Sequence, residues 1–208
     1  MTSAVTPSGV RPLAVGILVF DEVEVLDACG PFEVFSVAAR PRVAATGTAT
    51  FTVVLIAASR TQTRVRARGG LVLTADHTLS DAPELDLLIV PGGVTSAVES
   101  DADVIDWIAQ RRTTPTLASV CTGSFLLAVA GILTDQEVTT HWEDASELAQ
   151  RFPALRVTDR ARWVGGDGLY TSAGISAGLD LSLHLVATLS TTAHAQATAR
   201  QMDYAWRR

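Results

Sequence analysis

Four short apolar runs constrain the fold of this chain more than any other feature. They are rich in Val, Ile and Leu and show no strict alternation of polar and apolar residues, and they span Leu13–Phe20, Phe51–Ala57, Leu87–Val90 and Thr116–Val120. Strands that are covered on both faces have this pattern. Because segments of helical period separate the runs, we predict an α/β fold. It is flavodoxin-like and doubly wound, a mostly parallel sheet with helices on both faces.

Apolar periodicity and residues that favour helix ends predict the helices. These cover Pro31–Ala39, Val104–Arg111, Gly123–Ala130, Trp142–Arg151 and Ser176–Tyr204. Pro31 is placed in the first turn of its helix, where a backbone N–H is not needed. Gly69 and Gly70 mark the turn of a small β-hairpin over Arg64–Ala75, expected on the sheet edge, and Tyr170–Ala173 is a further short strand.

Length and composition limit the domain organisation. Of the 208 residues, 48% are hydrophobic and 18% are charged, which suits a globular core and excludes a disordered chain. We expect one domain over residues 13–208 and a disordered or frayed tail over residues 1–12. That tail lacks the basic and apolar regions of a signal peptide, and no apolar stretch reaches the roughly 18 residues of a membrane span. A cytoplasmic protein without a membrane partner is therefore expected.

The balance of charged residues excludes several functions. All sixteen basic residues are arginine, and twenty-two acidic residues give a net charge of -6, which argues against nucleic acid as the partner. The absence of lysine excludes a lysine Schiff base and a phosphate loop that ends in Gly-Lys. Because His77, His184 and His194 have no paired ligands at metal spacing, no metal site is predicted.

The most informative segment joins the fourth apolar run to the next helix, with Cys121 at the junction. The carboxyl ends of the strands bind ligands in doubly wound sheets. A thiol before a helix N-terminus faces unpaired amides and the positive end of the helix dipole, so we expect its pKa to lie below the free value of about 8.5. Gly123 and Ser124 keep the turn open, as in the nucleophile elbow of hydrolases. This position favours a nucleophile over the alternative, a small core residue.

Two further loops follow strands and therefore open at the same edge. Gly92 and Gly93 allow backbone N–H groups to approach a ligand, and with the Thr122 amide they would form an oxyanion hole. An ordinary turn explains the two glycines equally well. Asp27 stands among apolar neighbours, which should raise its pKa and make it a proton donor. The alternative is that Asp27 is the N-cap of the helix predicted to begin at Pro31.

Five motifs, in this order along the chain, carry a family resemblance. They are Leu26–Pro31, Val90–Gly93, Ser119–Gly123, Thr139–Trp142 and Ala173–Asp180. Together they resemble the isonitrile hydratases of the PfpI-like branch of the class I glutamine-amidotransferase-like superfamily, over about residues 13–204. The sensor domains of AraC-type transcriptional regulators carry the same motifs. The resemblance implies a PfpI-like domain and a homodimer.

The activity that the resemblance implies is the hydration of a small-molecule isonitrile to an N-substituted formamide, without a cofactor. The family's nucleophile falls on Cys121, its acid on Asp27 and the threonine after the nucleophile on Thr122. Its glycine loop falls on Gly92 and Gly93. Cys121 would add to the isonitrile carbon while Asp27 supplies a proton, and water would then hydrolyse the thioimidate. Thr122 would hold Asp27 or the water.

Two residues in the motifs have roles that the sequence leaves open. Cys29 stands where the hydratase motif commonly has threonine, either as a small buried residue or as a resolving partner for an oxidised Cys121. His141 falls where amidotransferase-like relatives have a triad histidine, and Glu143 or Asp144 would orient it. In the hydratase scheme Asp27 transfers the protons, so His141 is a secondary candidate.

Two other functions stay open. One is a cysteine-dependent enzyme that acts on another small electrophile, such as a nitrile, an aldehyde adduct or a thioester. The other is a stand-alone ligand- or redox-sensing domain. AraC-type regulators carry a DNA-binding helix pair after such a domain. Because four residues follow Tyr204, we expect no such helix pair here. The substrate pocket is expected to take residues from the segments Pro41–Thr50 and Arg160–Gly168.

Overall fold

The computed structural model describes residues 11–207, so the tail predicted over residues 1–12 lies almost wholly outside the described residues. The strands in chain order are β1 (Leu13–Val19), β2 (Phe51–Ala57), β3 (Arg64–Arg66), β4 (Val72–Thr74), β5 (His77–Thr78), β6 (Leu87–Val90), β7 (Thr116–Val120), β8 (Glu137–Val138), β9 (Arg156–Val157), β10 (Trp163–Gly166) and β11 (Leu169–Ser172). The helices are α1 (Val25–Ala38), α2 (Pro41–Ala44), α3 (Ser96–Glu99), α4 (Ala102–Gln110), α5 (Gly123–Val129), α6 (Ala145–Arg151), α7 (Ala177–Leu189) and α8 (Thr192–Gln201).

A seven-stranded sheet in the order β10-β11-β7-β6-β1-β2-β5 forms the centre of the fold. Only β10 runs antiparallel to its neighbour, and the other pairs are parallel. Helices α1, α7 and α8 pack together, and α3, α4 and α5 form a second group. The flavodoxin-like, doubly wound fold predicted from the apolar runs is confirmed. All four runs are strands of this sheet.

The predicted hairpin is confirmed, but its position differs from the prediction. Strands β3 and β4 pair antiparallel around Gly69 and Gly70, which both have positive φ. The hairpin is hydrogen-bonded to the β1–α1 loop, because Glu22 N–H donates to Arg66 O at 2.8 Å and Arg68 N–H donates to Val23 O at 3.0 Å. It therefore supports the loop that leads into α1, and the sheet edge beside β2 is β5 instead.

Helix α1 begins at Val25, six residues before the predicted start at Pro31. The prediction of a first-turn proline is wrong, since Pro31 is the seventh residue of the helix and leaves the Asp27 carbonyl without its intrahelical donor. Apolar packing along α1 outweighs this loss. The N-cap position belongs to Glu24, so the alternative role of Asp27 as an N-cap is also wrong. Asp27 is the third helical residue.

The single helix predicted over Ser176–Tyr204 is wrong, because the chain breaks between α7 and α8 at Ser190 and Thr191. Thr191 caps α8 by accepting a hydrogen bond from His194 N–H at 3.0 Å. Ser190 Oγ accepts from the amides of Thr48 and Ala49 at 2.8 and 3.1 Å. Short polar side chains that satisfy backbone donors favour a helix end over a continued helix. Within residues 11–207, no helix is both long and apolar enough to cross a membrane.

Candidate active site

Cys121 occupies a strained elbow between β7 and α5. Its φ of 57° lies in the left-handed region, which costs a residue other than glycine about 1–3 kcal/mol. The surrounding structure holds this conformation, since Cys121 N–H donates to Ser172 O at 3.0 Å. The Cys121 carbonyl accepts from Thr140 Oγ1 at 2.9 Å and from Ser124 Oγ at 3.2 Å. The thiol side chain is buried, with 7% of the residue exposed.

The glycine loop after β6 packs directly on this elbow. A Cβ on Gly92 would lie 2.5 Å from the Thr122 backbone nitrogen and 2.9 Å from Cys121 Cβ, so only glycine allows the close approach. Gly92 N–H donates to Asp27 Oδ2 at 3.2 Å, and Gly93 N–H donates to Thr122 Oγ1 at 2.9 Å. Both glycine amides are thus engaged with side chains. The oxyanion role of these two amides therefore stays a prediction, and it would require them to exchange these partners for the ligand.

The side chain of Thr122 holds the glycine loop and not Asp27, which was one of the two partners predicted for it. The other, the reacting water, stays a prediction. Thr122 Oγ1 accepts from Gly93 N–H and also donates to Gly93 O, at 2.9 Å in both cases. Gly93 has a φ of 141°, and a Cβ there would meet the Glu22 carbonyl oxygen. Thr122 therefore positions the loop whose neighbouring amide, that of Gly92, binds Asp27.

We expect Thr122→Val to destabilise the protein by about 1–3 kcal/mol, because a half-buried amide and carbonyl lose their shared partner. Thr122→Ser keeps the hydroxyl and serves as the matched control, with a loss below about 1 kcal/mol. Urea unfolding of both variants measures the difference. Equal stability of the valine and serine variants would contradict the assigned role of the hydroxyl.

Asp27 lies fully buried in the first turn of α1, beside Cys121. Burial raises its pKa to about 7, and the nearby charge of Glu24 adds to this effect. The amides of Gly92 and Ile175 and the thiol of Cys121 act in the opposite direction. Oδ1 makes no well-aligned hydrogen bond within the described residues. The raised pKa predicted from the apolar neighbours of Asp27 is confirmed.

The pKa of the Cys121 thiol differs from the sequence prediction. Burial, followed by the negative charge of Asp27, raises its pKa to about 12, and the Thr122 amide opposes this only in part. The predicted lowering of the pKa is wrong because the helix that follows is short, with seven residues, and Cys121 lies before its first residue. The lowering of the thiol pKa by the helix dipole is therefore smaller than the raising by desolvation and by the adjacent carboxylate.

The two groups consequently act as one acid–base pair. At neutral pH the thiol keeps its proton, and the raised pKa of Asp27 favours the neutral carboxyl more than in an exposed aspartate. A carboxylate in contact with a buried thiol can accept the thiol proton as the sulfur attacks, and can then pass that proton to the substrate. Such a pair titrates as a unit.

His141 lies near the elbow but does not pair with the thiol. Its Nδ1 is 3.5 Å from Asp144 Oδ2 and 3.6 Å from Glu143 Oε2, the two acids expected to orient it. Trp142 belongs to a turn before α6, and its ring is largely exposed. Since the Cys121 thiol interacts with Asp27 instead, a catalytic role for His141 stays an untested hypothesis.

Cys29 and Cys121 are both free thiols in the structure. Cys29 is half-buried in α1, and burial raises its pKa. It lies two positions after Asp27 in the helix, about 200° around the helix axis from the acid that faces Cys121. This position suits a small packing residue, and the resolving role stays untested.

Several residues that shape the site had no role predicted from the sequence. Ile175, with a φ of 56°, brings its amide to Asp27, and the Thr140 hydroxyl holds the elbow carbonyl. Both belong to motifs that were recognised, so the signal was present, but their partners lie far away in the sequence. Within residues 11–207, no group of three or more His, Cys, Asp or Glu residues is arranged to hold a metal ion.

The site consists of a strained cysteine elbow beside a buried acid on a flavodoxin-like sheet. Comparison with known proteins identifies the class of protein that has these features. The profile of the DJ-1/PfpI family matches residues 14–188, and the chain belongs to that family. The crystal structure of a ThiJ/PfpI family protein from Pseudomonas syringae has a TM-score of 0.82 and 26% identity. That match covers 98% of this chain and 84% of the other. The family predicted from the five motifs is confirmed.

Two curated relatives of this chain have named functions. The isonitrile hydratase of Pseudomonas putida is 34% identical over 195 residues, which cover 93% of this chain and 79% of the relative. The HTH-type transcriptional regulator GbdR of Pseudomonas aeruginosa is 34% identical over 124 residues. That second match covers 59% of this chain and 34% of the regulator. The similarity to the hydratase therefore extends over much more of both chains.

Proposed function

We propose that this protein is an isonitrile hydratase, which adds water to R–N≡C and releases an N-substituted formamide. The observation that carries this proposal is the contact between the Cys121 thiol and the buried Asp27 carboxyl. Such a pair supplies the two things that the reaction needs, a soft nucleophile and a proton for the isonitrile carbon. The similarity to the Pseudomonas putida hydratase over 93% of the chain supports the same reaction.

In the first step the Asp27 carboxylate takes the thiol proton while the sulfur forms a bond to the terminal carbon of the isonitrile. That carbon becomes basic as the bond forms and takes the proton from Asp27. The product is a thioimidate, R–N=CH–S–Cys121. The high pKa of the thiol makes this proton transfer necessary, since a free thiolate is not the resting state.

In the second step the Asp27 carboxylate removes a proton from water, whose oxygen adds to the thioimidate carbon. The nitrogen takes that proton, and a tetrahedral intermediate forms. When the carbon–sulfur bond breaks, the hydroxyl proton returns through Asp27 to the sulfur and the formamide leaves. The Thr122 amide, which lies against the Cys121 sulfur, stabilises negative charge on sulfur in both steps.

The direct test is an assay of the purified protein with cyclohexyl isocyanide and with 4-nitrophenyl isocyanide. We expect one formamide per isonitrile consumed, with ¹⁸O from labelled water in the carbonyl and deuterium on the formyl carbon in D₂O. Protein-free buffer gives the background rate. If no formamide appears above that background while iodoacetamide still alkylates Cys121, the hydratase proposal is wrong.

A second candidate, a ligand-sensing domain, is favoured by the match to GbdR over 59% of the chain. A sensor would bind a small molecule in saturable fashion and change its thermal stability without turnover, which separates it from the enzyme in the same assay. The expected homodimer and cytoplasmic location stay predictions. Light scattering of the purified protein and cell fractionation would test them.

A further inference from the structure

The carboxylate of Asp180, in the first turn of α7, is fully buried outside the reacting pair. Its Oδ2 accepts a hydrogen bond from Arg162 Nε at 2.5 Å. Its Oδ1 accepts from the Tyr204 hydroxyl at 3.1 Å and from the Arg207 backbone amide at 2.8 Å. Because each of these partners is a donor, an ionised carboxylate satisfies all of them and an amide side chain would not.

Asp180 fixes the direction of the Arg162 guanidinium. The guanidinium is planar, so a hydrogen bond at Nε also determines where the two Nη atoms point. Nη2 donates to Ser176 Oγ at 3.3 Å. The side chain of Arg162 therefore binds Ser176 in the orientation that Asp180 sets.

The backbone of Arg162 binds the other end of the segment that leads from β11 into α7. Its carbonyl accepts from Ala173 N–H at 2.8 Å. The carbonyl of that same peptide group belongs to Ser172 and accepts from Cys121 N–H at 3.0 Å. Since the N–H and C=O of a trans peptide lie in one plane, a single rigid group joins Arg162 to the Cys121 elbow. Arg162 thus contacts residues 172–176 at both ends.

The chain between these two contacts is strained. Ile175 has a φ of 56°, in the left-handed region, which is an outlier for a β-branched residue. A Cβ on Gly174 would overlap His141 Cδ2, so only glycine fits there. The hydrogen bond from Gly178 N–H to Ile175 O, at the start of α7, is long at 3.4 Å. Such a conformation persists only where its surroundings hold it, and Arg162 supplies contacts on both sides.

We propose that Asp180 is a positioning residue for the reacting pair and that it acts through Arg162. The fixed arginine holds residues 172–176, which bind the elbow and present the Ile175 amide to Asp27. The effect on turnover rests on the proposed hydration reaction. The placement of the Ile175 amide is a property of the unreacted protein and can be measured separately.

The direction of a pKa change separates positioning from a general loss of stability. The Ile175 amide lowers the pKa of Asp27, so its withdrawal should raise that pKa. The other groups that face this carboxyl belong to other elements, and they are the charge of Glu24, the Gly92 amide and the Cys121 thiol. A general loosening would instead admit water, which solvates the carboxylate and lowers its pKa.

The test is Asp180→Asn, whose side-chain amide cannot accept from every donor around it. Alkylation of Cys121 by iodoacetamide, followed by mass spectrometry, needs no isonitrile and should follow the ionisation of Asp27, which takes the thiol proton. We expect the midpoint of the rate–pH profile to rise by about 0.5–1 pH unit. At pH 7, kcat/KM for cyclohexyl isocyanide should fall about two- to fivefold, because a smaller fraction of Asp27 is ionised.

Asp86→Asn is the matched control. The Asp86 carboxylate is also paired with an arginine, Arg11, at 2.6 and 2.8 Å, but at the amino ends of β1 and β6. We expect this variant to unfold at a lower temperature than the parent and to keep the parent's alkylation midpoint. A shift as large as that of Asp180→Asn would show that the midpoint follows stability alone.

Ser176→Ala is a second variant that leaves the buried pair of Asp180 and Arg162 intact. It removes only the contact of Nη2 with the segment, so the midpoint should rise by about half as much. No rise in folded Asp180→Asn overturns the inference, and where that variant does not fold, no rise in Ser176→Ala does so. If the parent does not hydrate cyclohexyl isocyanide, the proposed function fails while the alkylation profile still decides the role of Asp180.

Discussion

Replacing Cys121 with serine is expected to lower the rate of isonitrile hydration by about 10⁴-fold or more. The hydroxyl of serine is a harder and less acidic nucleophile than a thiol, so the adjacent carboxylate cannot activate it to the same degree. The fold should be retained, because the elbow is held by the backbone groups of Cys121 and not by its sulfur. The measurements are kcat/KM and the thermal unfolding midpoint.

The same substitution at the other cysteine is the matched control. Cys29→Ser changes one sulfur to oxygen on the face of α1 away from Asp27, and we expect its activity to stay within about twofold of the parent. Mass spectrometry of rapidly quenched reactions should show the thioimidate adduct on Cys121 in this variant. Turnover by Cys121→Ser within tenfold of the parent rate would exclude the covalent route through sulfur.

The second large effect is expected for Asp27→Asn, which should lose about 10²–10⁴-fold in turnover because no group remains to move the proton. The parent's kcat/KM should rise with pH through a midpoint near the Asp27 pKa of about 7, as Asp27 loses its proton while the thiol keeps its own. In the variant this rising limb should disappear. A variant that kept the same midpoint would assign the titration to another group.

The same substitution should raise stability at alkaline pH. The folded-state pKa of Asp27, about 7, lies above the unfolded value, so the folded state holds the proton more tightly. This contribution is fully present below about pH 4 and is lost as the pH rises through about 7, where the buried carboxyl ionises. We expect the free energy of unfolding of Asp27→Asn to be about 2–4 kcal/mol higher than that of the parent at pH 8. At pH 4 the two values should differ little.

Urea unfolding at the two pH values measures this change, and the comparison between them removes effects that do not depend on the proton. Asp106→Asn, at an exposed position of α4, is the control and should show no pH-dependent gain. A gain at pH 8 no larger than the gain at pH 4 would show that the pKa of Asp27 is not raised in the folded state.

Local patterns in the sequence were sufficient for the architecture and for the candidate nucleophile. The four apolar runs became neighbouring strands because burial on both faces requires continuous apolar residues. The apolar strand that leads into a helix at Gly123 placed Cys121 at an elbow. The motif order was sufficient for the family, which a profile match over residues 14–188 establishes.

Where local signals competed, the sequence predictions were wrong. Pro31 favoured a helix start, yet packing of α1 against the sheet and α7 extends the helix back to Val25. The continuous helical period over Ser176–Tyr204 gave no sign of the break at Ser190. The Ser190 hydroxyl accepts hydrogen bonds from the backbone amides of Thr48 and Ala49, which are 142 and 141 residues away in the sequence. Such long-range partners leave no trace in the periodicity around the break.

The chemistry of the site was decided by tertiary structure alone. The sequence by itself determined that Cys121, Asp27 and the glycine loop lie at one sheet edge, because each follows a parallel strand. It did not determine that Gly92, 65 residues away, would bind Asp27, nor that the carboxyl would lie against the thiol. A pKa depends on burial and on the distance to other charges, which exist only once the strands are side by side. The thiolate that the helix dipole led us to expect is therefore a protonated thiol, because burial and the adjacent carboxyl raise its pKa.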